Sequence, residues 1–148
     1  MQTLSGRVSF NDLTIDLPEL SKFNPDKINR VVIIGMGTSL HAAMVARHWI
    51  ESFAKITTEI DNSSEFRYRD PLVDDKTLII SICQSGETAD TLAAMELARN
   101  KGAQQITLCN YENTQSTRIA DYSMQIKAGP EIAVAASKTF TCSLVLLY

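Results

Sequence analysis

Several kinds of residue are scarce in this sequence, and each scarcity excludes a class of protein. Its three cysteines, Cys83, Cys109 and Cys142, show no C-x-x-C spacing, so we expect reduced thiols and no disulfides. Six glycines and four prolines in 148 residues are too few for a collagen-like or low-complexity chain. No apolar run reaches the ~18 to 20 residues that span a bilayer, and residues 1–10 lack the apolar core of a signal peptide. We therefore expect a cytoplasmic protein that does not associate with membranes.

Basic residues are not in excess either. Lysine and arginine number 14 against 17 aspartates and glutamates, which gives a formal net charge of -3. Such a chain has no overall positive field to attract nucleic acid, so nucleic acid is not an expected partner, and any bound anion must be held by local contacts. The 45% of hydrophobic residues and 21% of charged residues indicate a folded chain of ordinary composition.

Strand and helix patterns alternate along the chain beyond residue 29. An unbroken β-branched run at 31–34 predicts a strand that is covered on both faces, as in a parallel sheet. Further strands are predicted over 57–60, 77–82, 105–109 and 122–126, and helices over about 42–53, 89–101, 116–120 and 133–148. This alternation predicts an α/β fold: a five-stranded parallel sheet in a three-layer αβα sandwich, doubly wound in the flavodoxin-like order 2-1-3-4-5.

Composition divides the chain into two parts. Residues 1–29 mix glycine, proline, asparagine and aspartate with isolated apolar residues, which is typical of an irregular or helical lead-in, and residues 30–148 form the domain proper. The last predicted helix runs through 144–148 with no glycine cap and no basic final turn, so we expect the domain to be truncated there. A helix that simply ends at the terminus is the alternative. The exposed apolar face of this truncated last helix predicts a homodimer.

Two loops carry the polar residues that could bind a ligand. The first loop (35–39, G-M-G-T-S) and the second loop (83–88, C-Q-S-G-E-T) each connect the end of a predicted strand to the start of a helix. Ligands of open α/β sheets bind at such ends, where backbone N–H groups and the helix macrodipole favour an anion. Hydroxyl and amide groups in both loops therefore predict a phosphate monoester site that needs no lysine or arginine. For the first loop, an ordinary helix cap is the alternative.

Other motifs fail on single residues. Leu40 stands where the dinucleotide fingerprint G-x-G-x-x-G needs its third glycine, and the Walker A pattern is absent. Cys83 replaces the glycine of a serine-hydrolase elbow, and Ala89 replaces the arginine that would close a cysteine-phosphatase loop. We therefore interpret Cys83 as a buried, unreactive thiol. His41 and His48 have no clustered cysteine or carboxylate, so no metal and no cofactor is assigned.

Four stretches of the sequence resemble the sugar-isomerase (SIS) domain family. They are 37–39 (G-T-S), 65–69 (E-F-R-Y-R), 84–92 (Q-S-G-E-T-A-D-T-L) and 128–135 (A-G-P-E-I-A-V-A). The third stretch resembles more narrowly the glutamine:fructose-6-phosphate aminotransferases, whose isomerase portion contains two SIS halves. The likeness is to the first half and extends from about residue 6 to the end of the chain.

The resemblance implies a set of substrate-binding residues and a fold with five parallel strands. Ser39, Gln84, Ser85 and Thr88 would contact the phosphate, Thr38 the sugar, and the Val134 backbone the sugar hydroxyls. Two further members of the set depart from the family pattern, because Cys83 and Ala136 stand where serines are common. A thiol is a weaker donor than a hydroxyl, so the resemblance predicts a lowered phosphate affinity. Met36 also differs, replacing a common cysteine, and Lys138 is interpreted as structural.

The resemblance also implies a reaction to which this chain contributes binding. The family makes glucosamine 6-phosphate from fructose 6-phosphate and the ammonia of glutamine, and its catalytic glutamate, histidine and lysine lie in the second SIS half and the C-terminal tail. Its glutaminase nucleophile is an N-terminal cysteine, whereas position 2 here is Gln2. We therefore assign no catalytic residue and expect the isolated chain to be inactive. The expected partners are fructose 6-phosphate or glucosamine 6-phosphate, the second SIS half and the glutaminase domain.

Two alternatives stay open at this point. The chain could be a standalone SIS phosphosugar-binding or regulatory module, or a degenerate product in which Cys83 and Ala136 mark lost binding. Glu87 and Glu131 are the carboxylates nearest the proposed site. For both we predict a capping or backbone-bridging role in preference to a role as general base.

Overall fold

The computed structural model describes residues 2–148, in which a parallel sheet lies between two layers of helices. In chain order the strands are β1 (Val8–Ser9), β2 (Thr14–Ile15), β3 (Arg30–Gly35), β4 (Thr57–Asn62), β5 (Thr77–Cys83), β6 (Gln104–Cys109) and β7 (Tyr122–Gln125). The α-helices are α1 (Thr38–Phe53), α2 (Ser63–Phe66), α3 (Ala89–Asn100), α4 (Gln115–Ile119) and α5 (Ser137–Leu147). Strands β3 to β7 form the sheet, and β1 and β2 form a separate antiparallel hairpin.

The five strands of the sheet are parallel and follow the order β4-β3-β5-β6-β7. This arrangement confirms both the fold class and the 2-1-3-4-5 order predicted from the sequence. Strands β3 and β5 are direct neighbours, with Val31 opposite Leu78 and Ile33 opposite Ile80. Because the chain reverses its winding direction between these strands, the loops that follow them diverge and leave a cleft at the carboxyl edge.

Each face of the sheet has its own hydrophobic core. One core packs the alternate β3 and β5 residues such as Ile33 and Ile80 against the small residues of α1 and the apolar side of α5. The other packs Val32, Ile34 and Ile79 against the buried residues of α3 and Phe66 of α2. Strands that are buried on both faces carry continuous apolar runs, which is why these segments were recognisable in the sequence.

The last helix is shorter than predicted. It begins at Ser137 rather than at residue 133, because 133–136 form a loop and Ala136 has non-helical backbone angles. The carboxylate of Glu131 accepts the backbone N–H of Thr139, which is the third residue of α5. This contact satisfies one of the N–H groups that the first turn of a helix leaves without an internal partner. The prediction that this helix begins at residue 133, in an alanine-rich stretch, is therefore wrong.

The segment before β3 is more ordered than its composition predicts. Besides the β1 and β2 hairpin it contains three short 3-10 helices, Gln2–Leu4, Pro18–Leu20 and Pro25–Lys27. Thr3 is fully buried and its hydroxyl donates to the carbonyl of Ile126 at 2.8 Å. The Arg7 guanidinium is also buried and pairs with Glu19. The Thr3 bond attaches the lead-in to the domain, and the Arg7 pair connects two parts of the lead-in.

Candidate functional site

The first and second loops lie side by side at the carboxyl edge of the sheet, because they follow the adjacent parallel strands β3 and β5. Together with 131–136 they enclose a cavity of about 250 Å³. All eight residues predicted from the sequence line it, and Met36, Gly37, Ile82, Thr91, Glu131 and Ala133 complete the lining. The predicted residues are Thr38, Ser39, Cys83, Gln84, Ser85, Thr88, Val134 and Ala136. The structure therefore brings together residues from three distant parts of the chain.

The first loop leaves its hydroxyl groups available. Gly37 is the residue that precedes α1, and its φ of +55° is a conformation that side chains disfavour. Neither hydroxyl, of Thr38 or of Ser39, caps the helix, and neither has a hydrogen-bond partner among residues 2–148. The alternative of an ordinary cap, considered from the sequence, is therefore not what the structure shows. Both hydroxyls line the cavity at the N-terminal end of α1.

The second loop is organised by internal and external hydrogen bonds. The Ser85 hydroxyl accepts the Glu87 backbone N–H at 3.2 Å, and Gly86 has a φ of +73°. The Gly86 carbonyl accepts the backbone N–H of Ser116 at 3.1 Å, which links the loop to α4. Thr88 precedes α3, and its hydroxyl does not cap that helix. The second loop therefore presents hydroxyl groups to the cavity, and the hydrogen bond to α4 holds its backbone in place.

Cys83 is buried at 4% exposure, as predicted for an unreactive thiol. Burial raises the pKa of the Cys83 thiol to about 12, and the nearby Cys109 contributes in the same direction. The neighbouring side chains of Ser81, Thr107 and Ser116 lower this pKa only in part. The thiol is thus neutral in the folded protein. Cys83 contributes to the cavity wall without a charged or free nucleophilic group.

The two carboxylates near the cavity have the capping roles predicted for them. Glu87 Oε1 accepts the backbone N–H of Gln115, the first residue of α4, at 2.9 Å. Glu131 Oε2 accepts both the backbone N–H and the hydroxyl of Thr139, at 3.0 and 3.1 Å. The backbone bond from Thr139 is the main cause that lowers the pKa of Glu131, so this side chain stays ionised. A carboxylate bound in this way is poorly suited to accept a substrate proton.

Residues 128–136 form the third wall, and several bonds fix their backbone. The Asn110 side chain donates to the Gly129 carbonyl at 2.8 Å and accepts the Ala128 N–H at 2.8 Å. The Lys138 ammonium donates to the Pro130 carbonyl, which agrees with its interpretation as structural. Val134 lines the cavity, although its side chain is fully exposed.

Thr91 belongs to the cavity but was missed in the sequence. It lies on α3 three residues after Thr88, so both residues occupy the same face of the helix. Its buried hydroxyl donates to Ser63 at 3.2 Å, which connects α3 to the start of α2. The i, i+3 spacing from Thr88 was the signal that could have identified it.

Other features of the described residues do not coincide with this site. A larger polar cavity of about 480 Å³ lies beside β7, but none of the eight predicted residues lines it. Within residues 2–148 there is no group of three or more histidine, cysteine, aspartate or glutamate side chains placed to hold a metal ion. No helix in the same range combines the length and apolarity needed to cross a bilayer.

The fold and the cavity define an open α/β domain with a polar cleft at the carboxyl edge of its sheet. Comparison with known proteins assigns it further: the chain belongs to the SIS domain family, whose family model matches residues 26–148. It is 44% identical over 147 residues to the glutamine:fructose-6-phosphate aminotransferase (isomerizing) of Clostridium tetani, and 49% identical over 146 residues to that of Aquifex aeolicus. Each match covers 99% of this chain and 24% of the relative. The chain thus spans about a quarter of the length of these enzymes.

Solved structures agree with this assignment. The C-terminal domain of glucosamine-fructose-6-phosphate aminotransferase from Francisella tularensis superimposes with a TM-score of 0.90 at 37% identity, over 99% of this chain and 42% of that one. The likeness to the isomerase region of these enzymes, predicted from the sequence motifs, is therefore confirmed. The sugar isomerase domain of an RpiR transcription factor from Sphaerobacter thermophilus has a TM-score of 0.72 at 20% identity, over 99% of this chain and 79% of that one. That second likeness concerns the fold alone.

Proposed function

We propose that this chain is the phosphosugar-binding half of the isomerase domain of a glutamine:fructose-6-phosphate aminotransferase. Its ligand is fructose 6-phosphate or glucosamine 6-phosphate, whose phosphate occupies the cavity between the first and second loops. Ser39, Gln84, Ser85 and Thr88 contact the phosphate, Thr38 contacts the sugar, and 134–136 lie beside the sugar hydroxyls. Catalysis and ammonia release belong to partner segments, namely the second SIS half and the glutaminase domain.

One observation carries this proposal. Three hydroxyl groups, of Thr38, Ser39 and Thr88, line a small cavity at the starts of two helices without capping those helices. Thr38 and Ser39 are half-buried and Thr88 is exposed, so a ligand can reach all three hydroxyls. A ligand that accepts several hydrogen bonds at a helix N-terminus would use them as donors. A phosphate ester has that chemistry.

The identity of 44% to 49% over almost the whole chain supports the aminotransferase in preference to a regulatory module. The capping bonds of Glu87 and Glu131 support a division of labour, because they engage the carboxylate in the cavity lining and the one in the second loop. A further cavity, of about 680 Å³, is lined largely by apolar residues of the lead-in, Trp49 and the end of α5. This surface supports association with another polypeptide, whether a second copy or a partner half.

Isothermal titration of the 148-residue chain tests the binding. We expect fructose 6-phosphate to bind and unphosphorylated fructose to bind at least ten times more weakly, because the phosphate makes the charged hydrogen bonds. Ser39→Ala should weaken the binding of fructose 6-phosphate about tenfold, which is the effect of losing one bond to a charged group. Ser21→Ala, which removes an exposed hydroxyl outside the cavity, is the matched control. Equal binding of the two sugars would contradict the proposal.

The division of labour is tested by activity. The purified chain, supplied with fructose 6-phosphate and ammonium, should produce no glucosamine 6-phosphate, since Glu131 in the cavity lining and Glu87 outside it each accept a backbone N–H. Steady turnover under these conditions would refute the assignment of catalysis to partner segments.

A further inference from the structure

The second loop rests on a layer of residues that does not line the cavity. Gly86 lies directly against Thr114 and Cys109: a Cβ added at Gly86 would be 2.3 Å from the Thr114 hydroxyl and 2.7 Å from the Cys109 sulfur. The Thr114 hydroxyl also contacts Ser116 Oγ at 3.1 Å. The stretch that connects β6 to α4 therefore forms the surface on which the second loop is seated.

Three hydrogen bonds join the loop to this surface. The Cys109 thiol donates to the Gln84 carbonyl at 3.9 Å, and the other two bonds involve the start of α4. The Gly86 carbonyl accepts the Ser116 N–H at 3.1 Å, and the Glu87 carboxylate accepts the Gln115 N–H at 2.9 Å. The Ser116 bond uses only backbone atoms, whereas the Gln115 bond depends on the Glu87 side chain. Glu87 is exposed and does not line the cavity, so burial of its side chain does not explain its presence.

We propose that Glu87 is a positioning residue for phosphate binding: by accepting the Gln115 N–H it holds the second loop in the conformation that presents Ser85 and Thr88 to the ligand. This inference rests on the proposed function. In the absence of the bond, the loop samples other conformations, and the fraction that binds phosphate falls. Apparent affinity falls by the same factor.

Substitutions at both partners separate this role from a charge effect. Glu87→Gln and Glu87→Ala remove the same negative charge, but only glutamine keeps an acceptor for the Gln115 N–H. We expect Glu87→Ala to bind fructose 6-phosphate about fivefold more weakly than Glu87→Gln, which corresponds to ~1 kcal/mol. Glu112→Ala, which removes an exposed carboxylate from the same β6 to α4 stretch, should leave the affinity unchanged.

Gln115→Pro supplies an independent variant because it removes the donor instead of the acceptor. Proline is well accommodated at the first position of a helix, and the preceding Thr114 has extended angles, φ -83° and ψ 170°, that a following proline requires. We expect the same loss of affinity, and no additional loss when Gln115→Pro is combined with Glu87→Ala. Additive effects in this double-mutant cycle would overturn the proposal, because they would show that the two residues act separately.

Amide hydrogen exchange gives a measurement that does not need a ligand. Exchange at 85–88 should be several times faster in Glu87→Ala than in Glu87→Gln, and unchanged exchange would overturn the proposal. If the unchanged chain fails to bind fructose 6-phosphate, the proposed function fails as well, whereas binding that is equal in the Ala and Gln variants defeats only the role of Glu87.

Discussion

The two loops of the cavity present similar chemical groups but acquire their shapes in different ways. The first loop is determined locally: Gly37 adopts a positive φ, and the Ser39 N–H bonds to the Met36 carbonyl at 3.1 Å. The second loop depends on residues some 25 to 30 positions later, through the seat formed by 109–116. Equivalent binding groups can thus be supported by a short motif or by long-range packing.

The largest difference between the loops should appear when each central glycine is replaced by alanine. Both substitutions force a side chain into an unfavourable backbone conformation, at a cost of about 1–3 kcal/mol. Gly86→Ala adds a clash with Thr114 and Cys109, whereas nothing lies within 4 Å of a Cβ at Gly37. We expect Gly86→Ala to lower the free energy of unfolding by about 1–3 kcal/mol more than Gly37→Ala. Denaturant unfolding measures both free energies. Equal losses would show that Thr114 and Cys109 can move to accommodate the added methyl group.

A second effect follows from the thiol at the start of the second loop. The folded state raises the pKa of Cys83 from 9.0 to about 12, so between these values the unfolded chain has lost the thiol proton while the folded chain retains it. Stability from this group is therefore complete below pH 9 and falls with rising pH, by about 1.4 kcal/mol per unit. Cys83→Ser should flatten this part of the stability profile. Identical slopes in the wild type and the variant, measured by denaturant unfolding from pH 8 to 11, would contradict the expectation.

The smallest effect distinguishes the serines of the two loops. The Ser85 hydroxyl accepts the Glu87 N–H, whereas the Ser39 hydroxyl has no partner within residues 2–148. We expect Ser85→Ala to lower the free energy of unfolding by about 1 kcal/mol in the absence of ligand, and Ser39→Ala to leave it unchanged. Thermal unfolding of the ligand-free variants checks this. An equal loss of stability in both variants would contradict the expectation that only the Ser85 hydroxyl stabilises its loop.

The features predicted from the sequence are those that short patterns encode. The buried strands appear as continuous apolar runs, such as 31–34, and the alternation of strands and helices led to the observed sheet order. Because strand order places β3 beside β5, the meeting of the two loops could be predicted as well. Motif resemblance then supplied the third wall, around Val134, which no local pattern indicates.

The features that were missed depend on contacts between distant residues. The start of α5 is set by Glu131, and the order of the lead-in depends on Thr3 reaching a carbonyl 123 positions away. The seat of the second loop joins Gly86 to Thr114 and Cys109 by packing. None of these partners is specified by spacing or by composition, so single-sequence reasoning had no means of finding them.

The cavity lining contains no lysine or arginine, and Glu131 is its one charged side chain. A phosphate ester held there would be retained by short, directional contacts whose strength changes little with ionic strength. Nor would the site draw its ligand from a distance, since a chain of net charge -3 offers no electrostatic steering. Selectivity would then arise from matching the number and direction of hydrogen bonds, so that anions of similar charge but different shape are told apart.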